Sequence, residues 1–401
     1  MKKTVVSPSV PGFKATGIAC GIKLTGKKDL ALIVSDTPAV AAGLFTLNRV
    51  AAPPVIWCRK TLRKSKTIQA VIVNSGCANA YTGPRGMEDC RKITHSLAGE
   101  LKIPQGKLLI ASTGTIGRFL PTGKIIAALP ALKKKLSPKG WIDSAQAIMT
   151  TDLTMKTARV EYTHDKRKII VGGMAKGSGM IHPDMATMLA FVFTNAAVEP
   201  AALDAALREA NDRSFNSITV DGDCSTNDSL ICLANGQAGN APIRENSPGY
   251  KPFVTALTEV CKQLAIEVVK DGEGATKFVT IRVEGARSRK DARKVGFAVA
   301  TSSLVKTAIF GEDPNWGRIV CAIGNAGAHI KPDHIDITLN AMPLVKDGAP
   351  VPNASMRDLQ KKMKSKSIVI DIGLHCGREQ AEVYTCDLSY DYVKINAEYT
   401  T

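Results

Sequence analysis

A hydroxyl at the mouth of an apolar run is the first candidate for chemistry. Residues 172–194 read GGMAKGSGMIHPDMATMLAFVFT. The opening part, with Gly172, Gly173, Lys176, Gly177, Ser178 and Gly179, is small and polar and predicts a mobile approach. In His182-Pro183-Asp184 the proline ring fixes its own φ and keeps its neighbour out of the helical region. Thr187 then opens a run through Leu189, Phe191, Val192 and Phe193, too short to predict a helix and suited to a buried strand. A threonine there would be held by the strand and exposed by the loop, which suits a nucleophile. The same residue suits a strand start on β-propensity alone. Its hydroxyl is a weak nucleophile at neutral pH and would need a base.

Three other stretches carry chemistry-bearing types. Lys107–Ala111 reads as a strand ending in Ser112-Thr113-Gly114-Thr115-Ile116-Gly117. A glycine-containing turn at a strand end can aim backbone N–H groups at an anion or oxyanion, or it can be an ordinary strand-to-helix turn. It is neither a P-loop nor a GxGxxG fingerprint. Thr150-Thr151-Asp152 follows an apolar helix and reads as a C-terminal cap or a substrate-binding edge. Glu273 lies between two glycines, either in a solvated turn or as a carboxylate offered to a cation. The acidic loop Asp221–Asp228 suggests calcium, but it lacks the twelve-residue spacing and closing glutamate of an EF-hand.

The elements that must position these residues alternate along the chain. Strands are predicted at Ala15–Ile22, Leu30–Ser35, Ile68–Asn74, near Arg167–Val171, and at Ile218–Val220, Phe278–Val283, Ile335–Leu339, Ile368–Ile372 and Glu382–Cys386. Apolar residues at helical spacing predict helices over Glu88–Leu101, Trp141–Met149 and Phe253–Val269, with another over Val295–Ala308. Glu199-Pro200 opens a further helix toward Phe215, the proline suiting its first turn. Such alternation predicts an α/β fold, an α+β layered sandwich with mixed sheets. No repeat or long linker divides the 401 residues, so one compact body is expected.

Composition narrows the function classes. Hydrophobic content of 44% and charged content of 22% are ordinary for a globular chain that can bury a large core. No run of about 18 apolar residues predicts a membrane span, and the N-terminus lacks the apolar stretch of a signal peptide. Cytoplasmic residence is the expectation. Ten scattered cysteines without a CxxC pair read as small buried hydrophobes in a reducing compartment. No histidine spacing suggests a metal site. The net charge of +17 could serve nucleic acid, but the basic runs carry no interleaved aromatics and aromatic content is only 5%. They read as solvated faces. A basic field would also attract small anionic substrates.

The string Met174 to Phe191 resembles the self-cleavage segment of the glutamate N-acetyltransferase/ornithine acetyltransferase family of arginine biosynthesis. The resemblance covers nearly the whole chain. It includes Gly12 to Ile18, Asn74 to Gly83, Ser112 to Gly117, Thr150-Thr151-Asp152, Thr219 to Asp223, Gly272 to Lys277, Asp313 to Arg318 and the terminal Ile395 to Thr401. Cys224 departs from the threonine expected in its loop.

The resemblance implies autolysis of the Ala186–Thr187 bond, giving an alpha chain (1–186) and a beta chain (187–401) that intertwine. It implies Thr187 as nucleophile and Thr113 with Gly114 as the oxyanion pair. Thr150, Lys176, Thr187, Glu273, Asn396 and Thr401 are the implied substrate contacts, with Thr150 and Thr151 both open for the first of these. The implied reaction moves acetyl from N-acetyl-L-ornithine to L-glutamate, with acetyl-CoA open as a co-substrate. No cofactor, metal, nucleic acid or membrane is implied, and the implied assembly is a heterotetramer of two alpha and two beta chains. An N-terminal threonine would supply its own base, since an α-amino group has a pKa of about 7.7–8.0. The alternative reading is a self-cleaving aminopeptidase or amidase, which gives its acyl group to water.

Overall fold

The computed structural model describes residues 6–182, 188–352 and 355–398. Met1–Asn216 and Asp223–Val268 form one compact unit, and Ser217–Gly222 and Val269–Thr400 form a second. This division does not follow the 186/187 junction.

The first unit runs β1 (Phe13–Ile18), β2 (Leu30–Phe45), α1 (Pro53–Lys64), β3 (Thr67–Cys77), α2 (Gly83–Leu101), β4 (Leu108–Thr115), α3 (Thr122–Lys134), α4 (Trp141–Ala147), β5 (Lys156–His164), β6 (Arg167–Lys176), β7 (Leu189–Thr194), α5 (Pro200–Asp212), β8 (Ser229–Ala234) and most of α6 (Tyr250–Lys270). Its eight-stranded sheet has the order β4-β3-β2-β8-β7-β6-β5, with β1 also paired to β2. The β3–β4 and β7–β8 pairs are parallel, so their C-terminal ends point the same way within each pair.

Continuous apolar strands need cover on both faces, and the burial pattern shows it. Leu30, Leu32, Ala70, Ile72, Leu108 and Ile110 pack with Ile93 and Leu97 of α2 and Ile125 and Leu129 of α3. The intervening Ala31, Ile33, Val71, Val73, Leu109 and Ala111 belong to a second cluster with Val55 of α1 and Trp141 of α4. There Phe193 of β7 sits edge-on between Phe13 and Trp141, with centroids 5.2 Å from each. β7, which follows the expected nucleophile in sequence, is thus anchored through a cluster of three aromatic rings.

Two expectations change in this unit. The stretch Gly172–Lys176 is not a mobile approach: it completes β6 and is buried between β5 and β7. Its glycines are required by close packing. A Cβ on Gly172 would overlap the Pro8 carbonyl, and one on Gly173 would lie 3.0 Å from Leu264 Cδ1 and 3.1 Å from Val260 Cγ1 of α6. Likewise Ser112 to Thr115 is no turn but the last part of β4.

The second unit holds β9 (Phe278–Ala286), α7 (Arg289–Thr301), α8 (Ser303–Phe310), α9 (Trp316–Gly324), β10 (Asp336–Leu339), β11 (Met342–Lys346), β12 (Ala349–Pro350), α10 (Met356–Met363), β13 (Ser367–Gly373), β14 (Glu379–Cys386) and α11 (Tyr390–Glu398). Its sheet order is β12-β11-β10-β13-β9-β14. The predicted helix Val295–Ala308 is two helices, because Ser302 caps α8 by accepting the Val305 N–H. Ile218–Val220 forms no strand; Ile218 makes one isolated bridge to Tyr384.

The ten cysteines carry free thiols, with Cys58, Cys77, Cys90, Cys232, Cys261 and Cys386 buried. Among the described residues no helix is long and apolar enough to cross a membrane.

Candidate active site

The parallel ends of β3 and β4 build the first wall. Gly76 pairs with Gly114, and the register slips there between Gly76 and Cys77. Both glycines have positive φ, +99° and +128°, where a side chain would be strained. A Cβ on Gly114 would also overlap the Gly76 carbonyl carbon. The ladder is irregular at this point and Thr113 stays buried beside it.

A carboxamide and hydroxyl network fixes the two strand ends. Ser112 Oγ donates to Asn74 Oδ1 (2.6 Å), and Asn74 Nδ2 donates to the Cys77 carbonyl (2.8 Å). Asn227 Nδ2 reaches the carbonyls of Ala78 (2.6 Å) and Ser112 (2.9 Å). With these carbonyls satisfied, the strand ends have little freedom to relax.

Lys176, the last residue of β6, is buried and donates to Thr113 Oγ1 at 3.3 Å. A buried ammonium needs nearby negative charge, and Asp152 supplies it. Asp152 Oδ1 accepts from Lys156 Nζ (2.6 Å) and the Gly177 N–H (2.7 Å), and Oδ2 accepts from the Thr150 N–H (2.9 Å). Burial alone would raise the Asp152 carboxyl; Lys176, Lys156 and the Gly177 N–H overcome this and hold it well below the usual carboxylate range. Asp152 therefore ties Thr150 to the end of β6. Thr151 sits alongside, its Oγ1 2.7 Å from Ser178 Oγ.

A second acid marks the start of β7. Asp228 is fully buried at the head of β8, and its Oδ1 accepts the Met188 N–H at 3.2 Å. Among the described residues its Oδ2 has no hydrogen-bond partner. Desolvation pushes this carboxyl well above the ordinary range, against the pull of the Met188 N–H and Lys176. Met188 directly follows Thr187 in sequence, so a carboxyl that burial pushes upward is bonded one residue beyond the expected nucleophile.

Two of the remaining expected residues are described. Glu273 and Asn396 lie in the second unit, where Asn396 Nδ2 donates to Glu273 Oε2 at 3.0 Å. Gly274 there has φ +69° and packs tightly on the start of α11. Ala186, Thr187 and Thr401 lie outside the described residues. Cys224 Sγ approaches the His182 carbonyl at 3.8 Å. Sequence reasoning missed Asn74, Asn227 and Asp228 as individual groups. The sequence marks Asn74 only as part of the resembling stretch Asn74 to Gly83, and Asn227 and Asp228 only as part of an acidic loop, so the signal is regional.

A hydroxyl, a glycine at positive φ and a buried ammonium at strand ends suit the stabilisation of a developing oxyanion in a water-poor site. Together with the layered α/β fold, they define an acyl-handling enzyme. A family model described as "ArgJ family" matches residues 14–401. The "Arginine biosynthesis bifunctional protein ArgJ" of Symbiobacterium thermophilum is 47% identical over 392 residues, covering 97% of each chain. The protein of the same name from Geobacter sulfurreducens is 47% identical over 393 residues, covering 98% of this chain and all of its own. A crystal structure of arginine biosynthesis bifunctional protein argJ from Bacillus halodurans is 39% identical with a TM-score of 0.51, covering 52% of this chain and 98% of that one. The chain belongs to the ArgJ family.

Proposed function

We infer that this ArgJ-family acetyltransferase moves an acetyl group from N-acetyl-L-ornithine to L-glutamate through an acetyl-threonine at Thr187. The Lys176–Thr113 contact carries the reading, because it sets a buried cation against the hydroxyl of the expected oxyanion pair. The reading begins with autolysis. Thr187 Oγ attacks the Ala186 carbonyl, the C–N bond breaks, and the Thr187 nitrogen leaves as an amine. Water then hydrolyses the ester, freeing the hydroxyl. A solved relative that aligns over 98% of its length with about half of this chain supports a cut polypeptide.

In turnover the Thr187 α-amine takes the Oγ proton as Oγ attacks the acetyl carbonyl. Thr113 and the Gly114 N–H hold the oxyanion, each such donor being worth roughly a hundred- to thousandfold in rate. The proton passes to the leaving α-amine of ornithine. The α-amine of glutamate then attacks the acetyl ester, and Thr187 Oγ recovers its proton. Lys176 pairs the substrate α-carboxylate, Thr150 lines the pocket, and Glu273 with Asn396 takes the ornithine ammonium, with Thr401 closing the end. The bifunctional name of the relatives is read here as a second donor, acetyl-CoA. The assembly proposed is two alpha and two beta chains in the cytoplasm.

Thr187→Ala tests the centre of the reading. The unsubstituted protein should run as two fragments of roughly half size under denaturing conditions and release ornithine in a glutamate-dependent steady state. The variant should remain a single 42.7 kDa chain and lose transfer by at least about a thousandfold. Full transfer by the variant would place the nucleophile elsewhere. Equal turnover without glutamate would mean that water is the acceptor.

A further inference from the structure

One ammonium at this site has no role in the reaction as written. Lys23 lies in the loop between β1 and β2, and its stem passes over Gly76, which pairs with Gly114: a Cβ on Gly76 would lie 3.1 Å from Lys23 Cγ. Its Nζ donates to the carbonyls of Met149 (2.7 Å) and Lys28 (3.0 Å). Met149 directly precedes Thr150, so the ammonium stands beside the stretch tied to Lys176 by Asp152.

The loop that presents Lys23 is built by a buried acid. Asp29 is fully buried, and its carboxylate accepts the N–H groups of Cys20 (2.6 Å), Ile22 (2.7 Å) and Lys23 (2.9 Å). A carboxylate that takes three backbone donors fixes the loop's path, and with it the direction of the lysine stem. Two of the three Nζ protons are used on backbone carbonyls, leaving one for another acceptor.

The chemistry of the reaction supplies an acceptor. N-acetylornithine brings one carboxylate and one ammonium; glutamate brings two carboxylates. Lys176 is assigned to the α-carboxylate that both share. The side-chain carboxylate of glutamate needs a cation that the ornithine side chain does not. We propose that Lys23 is an acceptor-specificity residue that receives the side-chain carboxylate of glutamate. This rests on the acetyl-transfer reading above.

The electrostatics agree. Burial pushes the Lys23 ammonium down to about 8, opposed by Asp29 and Asp152 and reinforced by Lys176 and Lys27. A cation this easily neutralised suits a site that must also release a cationic product.

The test compares glutamate with glutamine, which lacks the second charge, as acceptors of the acetyl group. In Lys23→Met the preference in kcat/KM for glutamate over glutamine should fall about tenfold or more, with the ornithine burst from N-acetylornithine unchanged. Lys23→Arg should keep most of the preference. In the unsubstituted protein KM for glutamate should rise between pH 7 and 9 relative to that for glutamine, a comparison that cancels titration of the Thr187 amine. An unchanged preference in Lys23→Met, or an equal loss of burst and transfer, would overturn the assignment. If Lys23→Met does not fold, a pH-independent glutamate-to-glutamine ratio would overturn it instead. No acetyl-enzyme in the unsubstituted protein would overturn the acetyl-transfer reading itself, and the assignment with it.

Discussion

Two buried aspartates with opposite displacements should make the pH dependence of stability diagnostic. Asp152 is held low in the fold, so its contribution is present above its unfolded value of about 3.9 and is lost as pH falls through the folded one. Asp228 is held high. Its contribution is present below the unfolded value and is lost as pH rises toward the folded one. Asp152→Asn removes the carboxylate that Lys156 donates to and should cost about 3 kcal/mol or more at pH 7, with the gap to the parent closing below pH ~4. Asp228→Asn should do the reverse, gaining on the parent as pH rises above about 4. Urea midpoints from pH 3 to 9 measure both, and parallel curves for parent and variant would refute the buried charge states. Neither aspartate could be ranked from sequence. Thr150-Thr151-Asp152 was visible as a polar edge, but which of the three is the hub depends on cations four and 24 residues further on. Lys23 was hidden for the same reason: its partners are the carbonyls of Lys28 and Met149.

Elements were legible where one face is apolar and illegible where packing excludes side chains. Helices α2 and α6, and strands β3, β7, β9, β13 and β14, announce themselves by periodicity or by unbroken apolar runs. Helices α1 and α3 were not foreseen: α1 opens on Pro53-Pro54 and α3 contains Pro130, each of which reads as a breaker. The second half of β6 was misread because glycine argues against a strand, whereas here its absent side chain admits the Pro8 carbonyl on one face and α6 on the other. Local propensity and tertiary packing therefore disagree at Gly172, and substitution separates them. Gly172→Val improves β-propensity but places a branched side chain against Pro8. It should destabilise by about 1–3 kcal/mol, lowering Tm by several degrees. An unchanged or higher Tm by scanning calorimetry would show that the segment around Pro8 does not seat on this strand.

At the scale of the whole molecule, the net charge of +17 has to be reconciled with a site for small molecules. A field of that sign concentrates anions at the surface and raises their encounter rate, and salt screens it over a Debye length of about 10 Å at 0.1 M. The two proposed substrates feel this unequally. Glutamate carries a net negative charge at neutral pH, whereas N-acetylornithine is a zwitterion with no net charge. Raising ionic strength from about 20 mM to 300 mM should therefore lower kcat/KM for glutamate by about three- to tenfold. That for N-acetylornithine should change by less than about twofold, and kcat should hold because bound substrate is already past the encounter. A basic surface serving nucleic acid makes a different forecast: duplex DNA would bind with an affinity falling by about a thousandfold or more over a similar salt range, and kcat/KM for both amino acids would be flat. Stopped-flow and steady-state rates across the salt series, with DNA titrated in parallel, separate the two, because only a substrate-gathering field makes the salt sensitivity follow the charge of the amino acid.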